Sequence, residues 1–120
     1  MSVENNECVV ATASNDEAVE KIKAWVMTLS EREQSLFAFV PALANSKTTI
    51  FLAPDGSKKG WEAANHGEAL RSQLIEMLAL FNYEDGSNPF SWVEVGYGEY
   101  GQKVLRGNNV NCCSDDEYAV

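Results

Sequence analysis

The sequence predicts a two-layer α+β domain: an antiparallel sheet with two helices packed on one of its faces. Three observations carry that prediction. Short β-branched and aromatic runs stand apart from two longer stretches of helical period. Their order is strand, helix, strand, strand, helix, strand. With 120 residues and 45% hydrophobic content, the chain can bury one core but not two.

The first strand is "CVVATA", residues 8 to 13, a short apolar run. "SNDEAVEKIKAWVMTLS" then reads as a helix, with Ser14 and Glu17 at the spacing of a capping box. Ala18, Val19, Ile22, Trp25, Val26 and Leu29 recur on one side of it as a buried stripe. Residues 35–43 and 47–53 read as two strands joined by "ANS" in a hairpin. Pro41 cannot donate to a ladder, so its strand lies at an edge or stops there. "PDGSKKG" at 54–60 is turn chemistry.

A second helix is expected from Gly67 to Asn82, capped by Asn65 with Glu68, its stripe formed by Leu70, Leu74, Met77, Leu78 and Phe81. Asp85-Gly86 and Asn88-Pro89 end it and reverse the chain. "FSWVEVGYGEY" alternates as a strand, with Val93, Val95 and Tyr97 on one face and Trp92, Glu94, Gly96 and Gly98 on the other. "GQKVLRG", 101–107, can extend the sheet by one short strand. This order is the ferredoxin-like βαββαβ arrangement, a split βαβ unit. Residues 1–110 are expected to form the single domain, and 111–120 a mobile acidic C-terminal tail.

Charge narrows the function classes. Eighteen acids against nine bases leave a formal net charge of −9, which opposes direct binding to nucleic acid or anionic membranes. The start, "MSVENNE", has acids where a secretory leader has positive charge, and no run reaches the length of a membrane span. Three cysteines, Cys8 and the adjacent Cys112 and Cys113, cannot all pair within one chain, which suits a reduced, cytoplasmic protein.

Familiar catalytic patterns find little footing. His66 is the one histidine, and with Cys112 and Cys113 it matches no zinc spacing. A cysteine–histidine nucleophile would need a platform firmer than a tail, and Cys8 begins an apolar strand. No G-x-S-x-G elbow is present, and "DGSKKGW" and "GYGEYG" lack the spacing and following helix of a phosphate loop. The basic, aromatic pattern of RNA-binding sheets is missing, and "ATASND" lacks the arginine an acylphosphatase loop would need. No enzyme activity, cofactor or metal is therefore expected.

What remains is a surface. Acids crowd two stretches that contain no base, the first twenty residues (Glu4, Glu7, Asp16, Glu17, Glu20) and 72–102; Asp115, Asp116 and Glu117 follow in the tail. Glu76, Glu84, Asp85, Glu94 and Glu99, with Trp92 and Tyr97 as aromatic anchors, are the candidate partner-binding residues. Such a surface suits a basic protein partner, such as a nucleic-acid-binding enzyme held by an inhibitor or immunity-type protein. The alternative is a dimeric small-ligand-binding or sensor domain with its site on the open sheet face. Both faces of the hairpin strands are apolar, so either the C-terminal segment folds over the open face or a second protein does, a homodimer through that face being one such arrangement.

Overall fold

The computed structural model describes residues 5–56, 62–99 and 101–108. It is an α+β domain with a five-stranded antiparallel sheet and three helices. The strands are β1 (Asn5–Ala13), β2 (Phe37–Pro41), β3 (Thr48–Leu52), β4 (Phe90–Gly98) and β5 (Gly101–Gly107). The helices are α1 (Asp16–Val26), α2 (Glu31–Gln34) and α3 (Glu62–Ala79). Sheet order is β2-β3-β1-β4-β5, so β1 is central and pairs with both β3 and β4.

The core lies on one side of this sheet. Val9, Ala11, Ala13, Ile50, Leu52 and Phe90 point to it and meet Ala18, Val19, Ile22 and Val26 of α1 and Leu70, Leu74 and Leu78 of α3. Trp25 sets its edge against the Phe37 ring at 5.8 Å, which seats α1 over β2. Phe81 against Phe90, at 5.6 Å, seats the end of α3 over β4. The apolar stripes read from the sequence are the buried ones, with Trp25, Leu29, Met77 and Phe81 half-buried at their margins.

The second sheet face contributes nothing to that core. Strand pairing lines up Ala38, Phe51, Val10 and Val93 in one row across it. Cys8, Val95 and Val104 form another. Thr12 and Thr49 share a hydrogen bond at 2.8 Å beside them.

Several local expectations are corrected. Asn15, not Ser14, caps α1: its Oδ1 accepts the Ala18 N–H at 3.0 Å, and the helix therefore starts one residue later. α2 is an addition, one turn closed by a capping box between Ser30 and Glu33. α3 begins at Glu62, so Asn65 and Glu68 lie within it and cap nothing. Gly67 lies inside the helix, and glycine suits the position because a Cβ there would fall on Asp55 Oδ2. The hairpin turns through Asn45 and Ser46, both at positive φ, and Pro41 ends the edge strand β2. β5 occupies the expected residues, with a register shift opposite Glu94 and Val95 that leaves Leu105 as the extra residue. No described helix is long and apolar enough to cross a membrane. The expected tail, Cys112, Cys113, Lys58, Lys59 and Glu4 lie outside the described residues.

Candidate functional site

The sheet gives the domain two ends. β4 has nine residues, and at ~3.3 Å per residue its termini stand roughly 26 Å apart. Phe90 pairs with Ala13 at one end, and Gly98 pairs with Asn5 at the other. The first end gathers the start of α1, the β2–β3 turn, the end of α3 and the turn 80–89. Glu76, Glu84 and Asp85 are exposed there. Asp16 and Glu17, in the first turn of α1, are exposed at the same end.

The other candidates are divided among different places. Glu99 follows β4 at the far end of the sheet, and Tyr97 stands on the open face. Trp92 and Glu94 face the helices, where Trp92 packs on the core and Glu94 is 3% exposed. Alternation read from the sequence sorts these side chains correctly, but it does not say which face is covered.

Glu94 is enclosed by arginines. Arg106 Nε donates to its Oε1 at 2.6 Å, and Arg71 Nε donates to Oε2 at 2.9 Å. Arg71 also reaches Glu7 at 3.4 Å, and Arg106 donates to Ser72 Oγ at 3.3 Å. Burial pushes the Glu94 carboxyl up, but the hydrogen bonds and charge of Arg106, then of Arg71, outweigh it and hold the group below its ordinary value. Both of its oxygens accept hydrogen bonds from arginines inside the molecule, so its role is to join α3, β4 and β5.

At the acidic end the chain is fixed by its own hydrogen bonds. Leu80, Phe81 and Asn82 donate to carbonyls three residues back, tightening the last turn of α3. Asn88 Nδ2 donates to the Leu78 carbonyl at 2.8 Å, and its Oδ1 accepts from Phe90 N. Asp85 Oδ1 accepts from both the hydroxyl and the N–H of Ser87, which lowers its carboxyl below the usual range. Gly86, at φ +87°, makes the reversal possible. This frame presents two large apolar side chains to solvent, Leu80 at 75% and Tyr83 at 53% exposure. α3 has no basic residue in its last turn, so the partial negative charge of its C-terminus adds to the carboxylates. Among the described residues, Lys47 of the β2–β3 turn lies at this end, and Lys21 of α1 is paired with Glu17. Leu80 and Tyr83, and Asp16 and Glu17 of the first acidic run, were not among the candidate partner-binding residues read from the sequence. Helical spacing of Leu80 from Glu76 was the available signal for the first of these.

A cleft of about 460 Å³ lies at the opposite end, between α2 and the start of α3. Ser30, Arg32, Glu33, Ser35, Asp55 and His66 contribute polar groups, and Leu36 and Leu70 line its apolar side. Glu33 Oε2 meets His66 Nε2 at 2.8 Å, while its Oε1 accepts from Ser30 N. The Ser30 N–H and then His66 draw the Glu33 carboxyl below its ordinary value. His66 lies within α3 and not at its cap, and the cleft is on the helix side, away from the open sheet face. Among the described residues no group of three His, Cys, Asp or Glu side chains is placed to hold a metal.

Comparisons with family models, with characterised proteins and with solved structures each found no match.

Proposed function

We propose that this chain is a non-catalytic protein-binding module of ferredoxin-like βαββαβ type, extended at one edge by β5. It engages a basic protein partner through the acidic end of the domain, as an inhibitor or immunity-type protein would. The antiparallel pairing of β1 with both β3 and β4, with α1 and α3 on one side, supports the fold assignment. One observation carries the function: exposed Leu80 and Tyr83 stand among Glu76, Glu84 and Asp85 on a turn held rigid by hydrogen bonds. An apolar centre with a charged rim is the anatomy of a protein interface, and a preformed turn lowers the ordering cost of binding. The acids steer a basic partner in, and Tyr83 and Leu80 supply the contact area.

The test is an affinity capture from host lysate at low and raised salt, followed by binding measurements on the captured protein. Glu76→Lys with Glu84→Lys, or Tyr83→Ala with Leu80→Ala, should weaken binding at least about tenfold, and Glu99→Lys, at the far end, should not. Binding indifferent to the first two pairs, or equally sensitive to Glu99→Lys, overturns the reading.

The cleft beside His66 favours a second reading, a small-ligand site built from convergent polar groups over an apolar floor. An amide-resolved NMR titration with a small-metabolite library tests it. Shifts centred on Ser30, His66 and Gly67 and removed by His66→Ala support it; shifts elsewhere, or none, defeat it.

A further inference from the structure

We infer that the open face of the sheet is a homodimer interface, on which a second copy of this chain packs face to face. The face carries apolar side chains from all five strands, including Phe51, Val10, Val93 and Val95, with Val40 at 54% and Val104 at 52% exposure near its two edges. None of the residues that strand pairing places there is Asp, Glu, Lys, Arg or His. In a chain with a net charge of −9, that choice of residues leaves one surface without charge.

Charge selects the occupant. A basic partner would find nothing on this face to pair with, and its own charges would lose water without compensation. Two copies of the chain repel one another through their acidic surfaces, but on this face each presents an uncharged, largely apolar surface to its equal, with Asn6, Thr12, Thr49, Ser91 and Gln102 as its polar positions. An isologous contact of this kind closes on itself and leaves no apolar remainder. The size is adequate. Five strands at ~4.8 Å spacing and about seven residues of length cover roughly 550 Å² in projection, and the side chains raise that towards the ~800 Å² per partner of an ordinary stable interface. Two such sheets would stack ~10 Å apart with their strands nearly aligned. The acidic end of each copy, beyond the termini of its strands, stays open in such a dimer.

Sedimentation equilibrium of the full chain over a range of concentrations decides the matter. A reversible dimer is expected, tightening as salt rises because screening removes the repulsion between the two acidic copies. Val40→Glu with Val104→Glu replaces exposed side chains and should raise the dissociation constant at least about a hundredfold, with circular dichroism unchanged. Leu43→Glu, in the β2–β3 turn off this face, should leave it as it was. A monomer at every concentration overturns the inference and points to the chain's own residues 109–120 or another protein as the cover. A dimer that survives Val40→Glu with Val104→Glu overturns it as well, and points to pairing at the β2 or β5 edges.

Discussion

A single carboxylate carries an unusual share of this structure. Glu94 at 3% and Arg71 at 7% exposure are both withdrawn from water, and each answers the other's charge. Removing one member of a buried pair leaves the other uncompensated, so Glu94→Ala should cost ~3–5 kcal/mol in a urea titration. Arg106→Ala should cost about 1 kcal/mol or less, because its side chain is 42% exposed and water can replace much of what it does. Equal costs for the two would show that burial does not set the ranking. The same group predicts a pH dependence. Its folded-state value lies below the ordinary 4.5, so its stabilisation is complete above that and fades as pH falls through the folded value. Glu94→Gln should therefore flatten the acid limb of the stability curve; an unchanged limb would assign acid unfolding to other carboxylates. Glu94 could have been placed from the sequence. It shares a strand face with Phe90 and Trp92, and Arg71 falls on the stripe of Leu70 and Leu74. An acid and a base each set in an apolar pattern are a sign of mutual burial.

The elements show where local chemistry suffices and where it does not. The apolar stripes of α1 and α3, the hairpin, the alternation of β4 and the extra strand β5 were readable, since each rests on side-chain period. Helix starts were not, because they depend on which side chain reaches which N–H. Asn15 and Ser14 are both good caps, and geometry chose Asn15. Asn15→Ala should lower stability by about 1 kcal/mol, with Ser14→Ala nearly neutral; the reverse ranking would return the cap to Ser14. α2 escaped notice because four residues make no periodic signal. α3 was cut short at Gly67, where glycine resembles a boundary but instead accommodates Asp55 from the β3–α3 connection. Alanine at an ordinary helix-interior glycine gains about 1 kcal/mol. Gly67→Ala should instead lose stability, as Asp55 must give way; a gain of the usual size would mean that the carboxylate moves freely.

Topology decides what seven scattered candidates become. The sequence places acids in two runs, but only the sheet order shows that the start of α1 and the end of α3 share one end of the domain, that Glu99 sits at the other, and that Glu94 lies between them inside. Charges gathered at one end repel, and that repulsion is a cost carried by the folded state. Added salt should therefore raise the urea midpoint, provided that the better-shielded Arg71–Glu94–Arg106 cluster keeps its strength under screening. Neutralising Glu76 or Glu84 by glutamine should stabilise the protein at low salt by a few tenths of a kcal/mol each, an increment that disappears at high salt. Glu99→Gln, remote from that crowd, should give less. Measurements repeated at the lowest usable protein concentration keep self-association out of the comparison. If Glu76→Gln and Glu84→Gln prove neutral at low salt, the carboxylates do not feel one another across the turn, and the acidic end is no concentrated field. If they stabilise as expected while weakening partner capture, the same residues lower stability and raise affinity, which is how a surface shaped for binding differs from one shaped for solubility.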